Sequence, residues 1–295
     1  MTLSTREPIQ LMRLGPPDHE RPAVRHRGAL YDLLPLTADI DGSFLEADGI
    51  ERVRAALARK ELPMLDDPGD GSALRVGAPI ARPTKVVCIG LNYKKHAEET
   101  NAPIPTEPVL FMKAADTVVG AYDDVLVPRG STKTDWEVEL AVVIGKTARY
   151  LQSHAEALSC VAGYAISNDV SEREFQLERG GQWDKGKSCE TFNPLGPWLV
   201  PADDVGDVQQ LDLKLWVNGQ LRQNLSTSDM IFPVAEVVRY VSQFLVLRPG
   251  DVINTGTPPG VALGQPDPKP YLRKGDVMEL EIQHLGRQRQ SLGQA

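Results

Sequence analysis

Much of this chain alternates apolar and polar residues with a period of two, which predicts strands that bury one face. Leu211, Leu213, Leu215 and Val217 alternate with Asp212, Lys214 and Trp216, and Asn218-Gly219 follows as a hairpin turn signal. Near the end, Met278, Leu280 and Ile282 alternate with Glu279 and Glu281. Elsewhere the apolar run is continuous, as in Ala141-Val142-Val143-Ile144, the mark of a strand covered on both faces. Helical spacing is confined to a few stretches. Ile50, Val53 and Leu57 predict a helix over about residues 49 to 58. Val234, Val237, Val238, Val241, Phe244 and Leu245 predict another, with Pro233 near its start and Pro249-Gly250 ending it.

These elements fall into two groups. Residues 1 to about 80 form a small module, with strand candidates Ile9-Gln10-Leu11-Met12-Arg13-Leu14 and Ala29-Leu30-Tyr31-Asp32-Leu33-Leu34 beside the first helix. The polar stretch Leu65-Asp66-Asp67-Pro68-Gly69-Asp70-Gly71-Ser72 predicts a loop, and the boundary falls near Ala81-Arg82-Pro83. Residues 81 to 295 form the larger unit, where strands are joined mainly by loops and turns. That order favours a β-rich α+β fold, a mixed sandwich or roll, over a doubly wound parallel sheet.

Composition narrows the function more than the fold. A chain of 295 residues can bury a full core. No apolar run is long enough to cross a bilayer, and Met1-Thr2-Leu3-Ser4-Thr5-Arg6-Glu7 lacks the apolar centre of a signal peptide, so a cytoplasmic location is expected. The three cysteines, Cys88, Cys160 and Cys189, are too few and too scattered for a disulfide framework or a zinc cluster. Net charge is −8 and the cations form no basic face, which argues against nucleic acid as a partner. An anionic substrate is not excluded, since a metal and a few local cations can dominate the field inside a pocket.

The chemistry-bearing stretch is Trp136-Glu137-Val138-Glu139-Leu140. On a strand, Glu137 and Glu139 project from one side while Val138 and Leu140 fill the other. On that motif alone, the solvated face of an edge strand is the commoner explanation. The apolar run that follows points the other way, because two buried like charges need a positive partner such as a divalent cation. Asp169, at the end of Cys160-Val161-Ala162-Gly163-Tyr164-Ala165-Ile166, is a third acid in a similar setting. Three carboxylates without His or Cys suit Mg or Mn, with Ca a weaker fit, better than Zn or Cu.

Other candidates are less specific. In Asn92-Tyr93-Lys94-Lys95-His96-Ala97-Glu98-Glu99, a helix would place His96 and Glu99 on one face, the geometry of a general base for water. Taken alone, such a pair is more often a surface interaction. Lys187, in Trp183-Asp184-Lys185-Gly186-Lys187, could stabilise an oxyanion, although most loop lysines are simply solvated. The phosphate-loop spacing is absent there, and nothing pins a base to Cys189. Thr255-Gly256-Thr257-Pro258-Pro259-Gly260 offers hydroxyls and amides that can hold a carboxylate, or is a plain tight turn.

Taken in order, these segments resemble the fumarylacetoacetate hydrolase family over nearly all of residues 85 to 290. The agreement rests on Gly90-Leu91-Asn92-Tyr93 through His96 and Glu99, Asp135-Trp136-Glu137-Val138-Glu139-Leu140, and Asn168-Asp169-Val170-Ser171-Glu172-Arg173, followed by Trp183-Asp184-Lys185-Gly186-Lys187 and Thr255-Gly256-Thr257-Pro258-Pro259-Gly260. The small N-terminal module is also similar to one that precedes the catalytic domain in many bacterial members. The resemblance implies a β-rich catalytic fold, a homodimer, and one Mg or Mn per site. It implies Glu137, Glu139 and Asp169 as metal ligands, and His96 and Glu99 as a water-activating dyad on a lid-like segment. It also implies Lys187 as the active-site lysine, with Arg173, Gln176, Thr257 and Tyr93 as substrate contacts.

The implied reaction is hydrolysis of a carbon-carbon bond in a 2,4-diketo acid, giving pyruvate and a second carboxylic acid. Members similar to short-chain acylpyruvases and oxaloacetate decarboxylases carry Arg before the Asn-Tyr pair. This chain has Leu91, which argues against a small acidic substrate such as oxaloacetate. The stretch Ser171-Glu172-Arg173-Glu174-Phe175-Gln176-Leu177-Glu178-Arg179-Gly180-Gly181 is most similar to the branch acting on 2,4-diketo-3-deoxy sugar acids, fuconate or rhamnonate, whose relatives are often labelled ureidoglycolate lyase. Two other readings stay open at this point: a lyase or decarboxylase of a 2-oxo acid or ureidoglycolate using the same metal site, and a catalytically silent ligand-binding protein that keeps the fold.

Overall fold

In the computed structural model, residues 7–65 and 74–295 are described. The stretch 66–72, expected as a loop, lies outside them, as do the first six residues. The described chain is β-rich, as the alternation predicts. It builds a twelve-stranded mixed sheet, a five-stranded sheet and a two-stranded ribbon.

The strand Val138–Ile144 is central, hydrogen-bonded to Val161–Asn168 on one side and Val252–Asn254 on the other, both antiparallel. All of its residues are buried, as expected for a strand covered on both faces. Val138, Leu140, Val142 and Ile144 enter one core with Leu213, Leu215, Leu280 and Ile282 of the smaller sheet. Ala141 and Val143 face the opposite way, into a second core with Leu11, Val24, Phe44 and Val53 of the N-terminal stretch. Glu139 shares the parity of Ala141 and Val143, so it opens on the side where the second core gives out.

Gln10–Leu14 joins the large sheet at the pair Leu11–Leu199, against Asn193–Pro201. Among the described residues, one apolar core is shared across the expected boundary near residue 80. The first predicted helix forms over Gly49–Arg59 and buries Val53 and Ala56. The hairpin forms at Asn218-Gly219, where both residues have left-handed φ, 51° and 75°, as a two-residue turn between twisted strands requires. The second helix is shorter than its spacing suggests. It runs Val234–Val241 and then tightens, with the Gln243 and Phe244 N–H groups donating to the Tyr240 and Val241 carbonyls. Phe244, expected on the buried face, is 62% exposed, because the helical period stops before it.

Leu199 is fully buried in the second core, so Leu199→Ala is expected to lower unfolding free energy by about 2–5 kcal/mol, measured by denaturant titration.

Candidate active site

The strand order brings the three acids of the sequence pattern to one place. Glu137 precedes the strand Val138–Ile144, Glu139 lies in its first turn of pleat, and Asp169 follows Val161–Asn168. A backbone bond from the Asp169 N–H to the Glu137 carbonyl, 2.9 Å, fixes the two chain segments together. One oxygen from each carboxylate lies within 4.8 Å of the others, and all three residues are buried. A divalent cation with oxygen preference fits this donor set, and Glu137, Glu139 and Asp169 are the residues that would hold it.

Cations surround the acids. Glu137 accepts from Arg173 and from Lys187, each at 2.7 Å. Burial alone would raise its pKa, but the Lys187 and Arg173 charges win and hold it down at about 2. Lys187 also donates to the Asp169 carboxylate at 2.9 Å. Its burial would lower its pKa, and the carboxylates of Asp169 and Glu137 more than offset this, so it stays charged. The other Asp169 oxygen pairs with Lys113, whose side chain is fully buried. Asp135 pairs with Arg173 at 2.9 Å. Three carboxylates thus meet three cations, and Glu139 is the odd one. Among the described residues, its one hydrogen-bond donor is the Gly256 N–H, at 2.7 Å. Burial, together with the charges of Asp169 and Glu137, pushes its carboxyl well above the usual carboxylate range.

The helix Lys94–Glu99 stands over this floor. His96 Nδ1 lies 3.3 Å from Glu99 Oε2, as the three-residue spacing predicts, and His96 is buried. Glu99 is itself held, both oxygens accepting the Gly260 N–H at 2.9 and 3.1 Å. Gly264 is needed for that seating, since a Cβ there would sit 2.3 Å from the Glu99 carboxyl carbon.

A cavity of about 260 Å³ is lined by His96, Glu137, Glu139, Arg173, Gln176, Lys187 and Thr257 on its polar side. Arg173 leads into a single π-helical turn, Glu174–Glu178, which carries Gln176 back so that its Oε1 accepts from Arg173 at 3.0 Å. Two expected contacts sit differently. The Thr257 hydroxyl donates inward to the Val138 carbonyl and accepts from Gln223, leaving one lone pair for any ligand. Tyr93 does not line the cavity; it is fully buried, with an unpartnered hydroxyl. Sequence pattern alone assigns no role to Lys113 or Asp135. A lysine ending the apolar strand Val109–Lys113 was the available signal for the first. Cys189 lines none of this cavity.

Residues 85–292 match the family described as fumarylacetoacetate (FAA) hydrolase C-terminal. The chain belongs to the fumarylacetoacetate hydrolase family. One relative within it, the 2,4-didehydro-3-deoxy-L-rhamnonate hydrolase of Sphingomonas sp. (strain SKA58), is 49% identical over 88% of this chain and 92% of its own. Among solved structures, the fumarylacetoacetate hydrolase from Exiguobacterium antarcticum superposes with a TM-score of 0.81 at 34% identity, covering 97% of this chain and 100% of that one. The maleylpyruvate hydrolase from Sphingobium sp. SYK-6, solved with manganese(II) and pyruvate, gives 0.78 at 27% identity, covering 97% and 99%. The β-rich α+β architecture is that of the family, and no helix among the described residues is long and apolar enough to cross a membrane.

Cation binding needs Glu139 ionised, and its carboxyl is pushed upward by burial and by Asp169 and Glu137, so binding should release protons and weaken as pH falls, readable by calorimetry in buffers of different ionisation enthalpy. The same raised carboxyl makes the metal-free fold lose stability as pH rises above the ordinary carboxylate range. Glu139→Gln should therefore abolish tight binding while leaving the metal-free protein at least as stable as the wild type at neutral pH.

Proposed function

We propose that this protein hydrolyses the C3–C4 bond of a 2,4-diketo acid of the acylpyruvate type, releasing pyruvate and a second carboxylic acid. The observation that carries this reading is that His96, paired with Glu99, lines one cavity together with Glu137 and Glu139 of the buried carboxylate triad. The relative acting on 2,4-didehydro-3-deoxy-L-rhamnonate puts diketo-deoxy sugar acids first among substrates. Mg is the proposed ion, with Mn close behind, since oxygen-only donor sets suit both. A homodimer, supported by the family resemblance, and a cytoplasmic location belong to the same reading.

When bound, the cation would supply Lewis-acid charge that holds the 2-oxo acid end and offsets the negative charge released as the carbon-carbon bond breaks. The chain's own groups do the rest. Glu99 faces His96 Nδ1 and keeps the proton there, which leaves Nε2 as the acceptor of a water proton. That water attacks the C4 carbonyl. Lys187 is charged and buried beside the floor, and its third contact, to the Asp169 carbonyl at 3.4 Å, is weak enough to be exchanged for an oxyanion. Breaking the C3–C4 bond leaves its electron pair on C3, which takes up a proton to give the methyl group of pyruvate. The water oxygen ends in the other acid. Arg173 stays tied to Asp135 throughout, and Gln176 offers its amide nitrogen to substrate oxygens.

Pyruvate release from acylpyruvates with added Mg or Mn, with one oxygen from labelled water in the second acid, is the expected result; an acid without the label would point to a lyase or decarboxylase route. His96→Gln should lower kcat by about 10²–10⁴-fold with KM nearly unchanged, because the imidazole acts on water and not on substrate binding.

A further inference from the structure

We propose that the acyl end of the substrate is uncharged and terminates in an apolar group, and that Leu91, Phe111, Leu177, Trp183 and Leu263 select for it. The inference rests on the hydrolase reading only for the substrate's orientation, with its oxo-acid end on the acidic floor. Beside its charged and polar groups, the cavity is lined by Ile89, Leu91, Phe111, Leu177, Trp183 and Leu263.

That wall is built rigidly and joined to the floor. Trp183 packs against the backbone of Gly90, where an added Cβ would lie 2.7 Å from the indole ring. It meets Phe111 edge to face, ring centroids 5.4 Å apart. The Phe111 ring in turn lies under the Lys187 ammonium, 5.0 Å from its centroid, so the apolar wall begins directly behind the charged group. Trp183 caps the short helix Asp184–Lys187 that carries Lys187, and Asp184 is tied to the Met112 N–H at 3.1 Å. Leu91 holds a left-handed backbone, φ 54°, that a leucine adopts only under constraint, and it lines the cavity from there.

Charge accounting points the same way. Among the described lining residues the fixed cations are Arg173 and Lys187, and both are already paired with buried carboxylates. Lys113, deeper still, is paired with Asp169. In the contiguous cluster, Asp135, Glu137 and Asp169 balance Arg173, Lys113 and Lys187, and Glu139 stands over. With Glu139 ionised as a ligand, a divalent cation would leave the cluster with a single positive charge, which one substrate carboxylate neutralises. A second carboxylate would lie against the apolar lining without a partner, and an unpaired buried charge is disfavoured by several kcal/mol or more.

The test uses two six-carbon ligands that lack the cleavable 2,4-diketo unit, 2-oxohexanoate and 2-oxoadipate, which differ only in a terminal methyl against a terminal carboxylate. Calorimetric binding to the Mg- or Mn-loaded protein should favour 2-oxohexanoate by at least about tenfold. Leu177→Arg places a cation at the cavity rim, where Leu177 is 44% exposed and the fold tolerates it, and should narrow that ratio severalfold. Equal or tighter binding of 2-oxoadipate by the wild type overturns the proposal, as does an unchanged ratio in Leu177→Arg or a failure of 2-oxohexanoate to bind. Absence of pyruvate release from acylpyruvates, with the binding preference intact, would instead sink the hydrolase reading and leave the selecting wall standing.

Discussion

The site is organised by one electrostatic constraint: four carboxylates, Asp135, Glu137, Glu139 and Asp169, are buried and, among the described residues, three cations pair with them. Ions taken out of water need partners at hydrogen-bonding distance, and removing a single partner is strongly destabilising. Arg173, Lys113 and Lys187 are therefore as much part of the floor as the acids they face. The residual unpaired acid, Glu139, is where the fold carries a deficit that a divalent cation would fill.

The fold makes room for that deficit by its strand parity. Val138–Ile144 sends alternate side chains into two apolar cores, and the face bearing Glu139 is apolar at Ala141 and Val143 but acidic at its opening end. The N-terminal stretch covers the apolar part of that face with Leu11, Val24 and Phe44 and leaves the acidic part to the cavity. Cover and site are thus complementary portions of one sheet face. This gives the first eighty residues a structural role whether or not any of them touches substrate.

Local signals in the sequence survived into the structure; long-range ones were invisible until the chain was folded. Alternation in 211–217 and 278–282, the Asn218-Gly219 turn and the helix Gly49–Arg59 are local, and each is where the pattern puts it. The acid triad was legible because two carboxylates in an apolar strand conflict with burial, and the His96/Glu99 pair because helical spacing brings the third residue round. Lys113 meets Asp169 across 56 positions, and no spacing rule connects them. Thr257 is expected as a ligand contact from the resemblance, and it lines the cavity, but its bonds to the Val138 carbonyl and to Gln223 could not be read from the sequence. Tyr93 sits beside the motif residues in sequence but turns into the core, as the residue before a helix can when its backbone is extended. Phe244 shows the converse limit, since periodicity continues to count after the helix has ended.

The base and the floor come from distant parts of the chain, so something must hold them in register. The loop at 256–264 does so with backbone amides. The Gly256 N–H binds Glu139, the Gly260 N–H binds Glu99, and the Ala262 and Leu263 N–H groups bind Asp135, which in turn holds Arg173. One segment therefore grips the unpaired acid, the carboxylate behind the histidine and the anchor of the cationic side. Backbone donors cannot rotate away as side chains can, and fixed dipoles are what a site needs if its groups are to act without reorganising. A sequence reading sees a glycine- and proline-rich turn there. Its function lies in N–H groups, and glycine is what lets two of them be presented: Gly256 and Gly260 hold left-handed φ of 96° and 109°, and a Cβ at Gly260 would lie 1.9 Å from the Arg222 carbonyl oxygen.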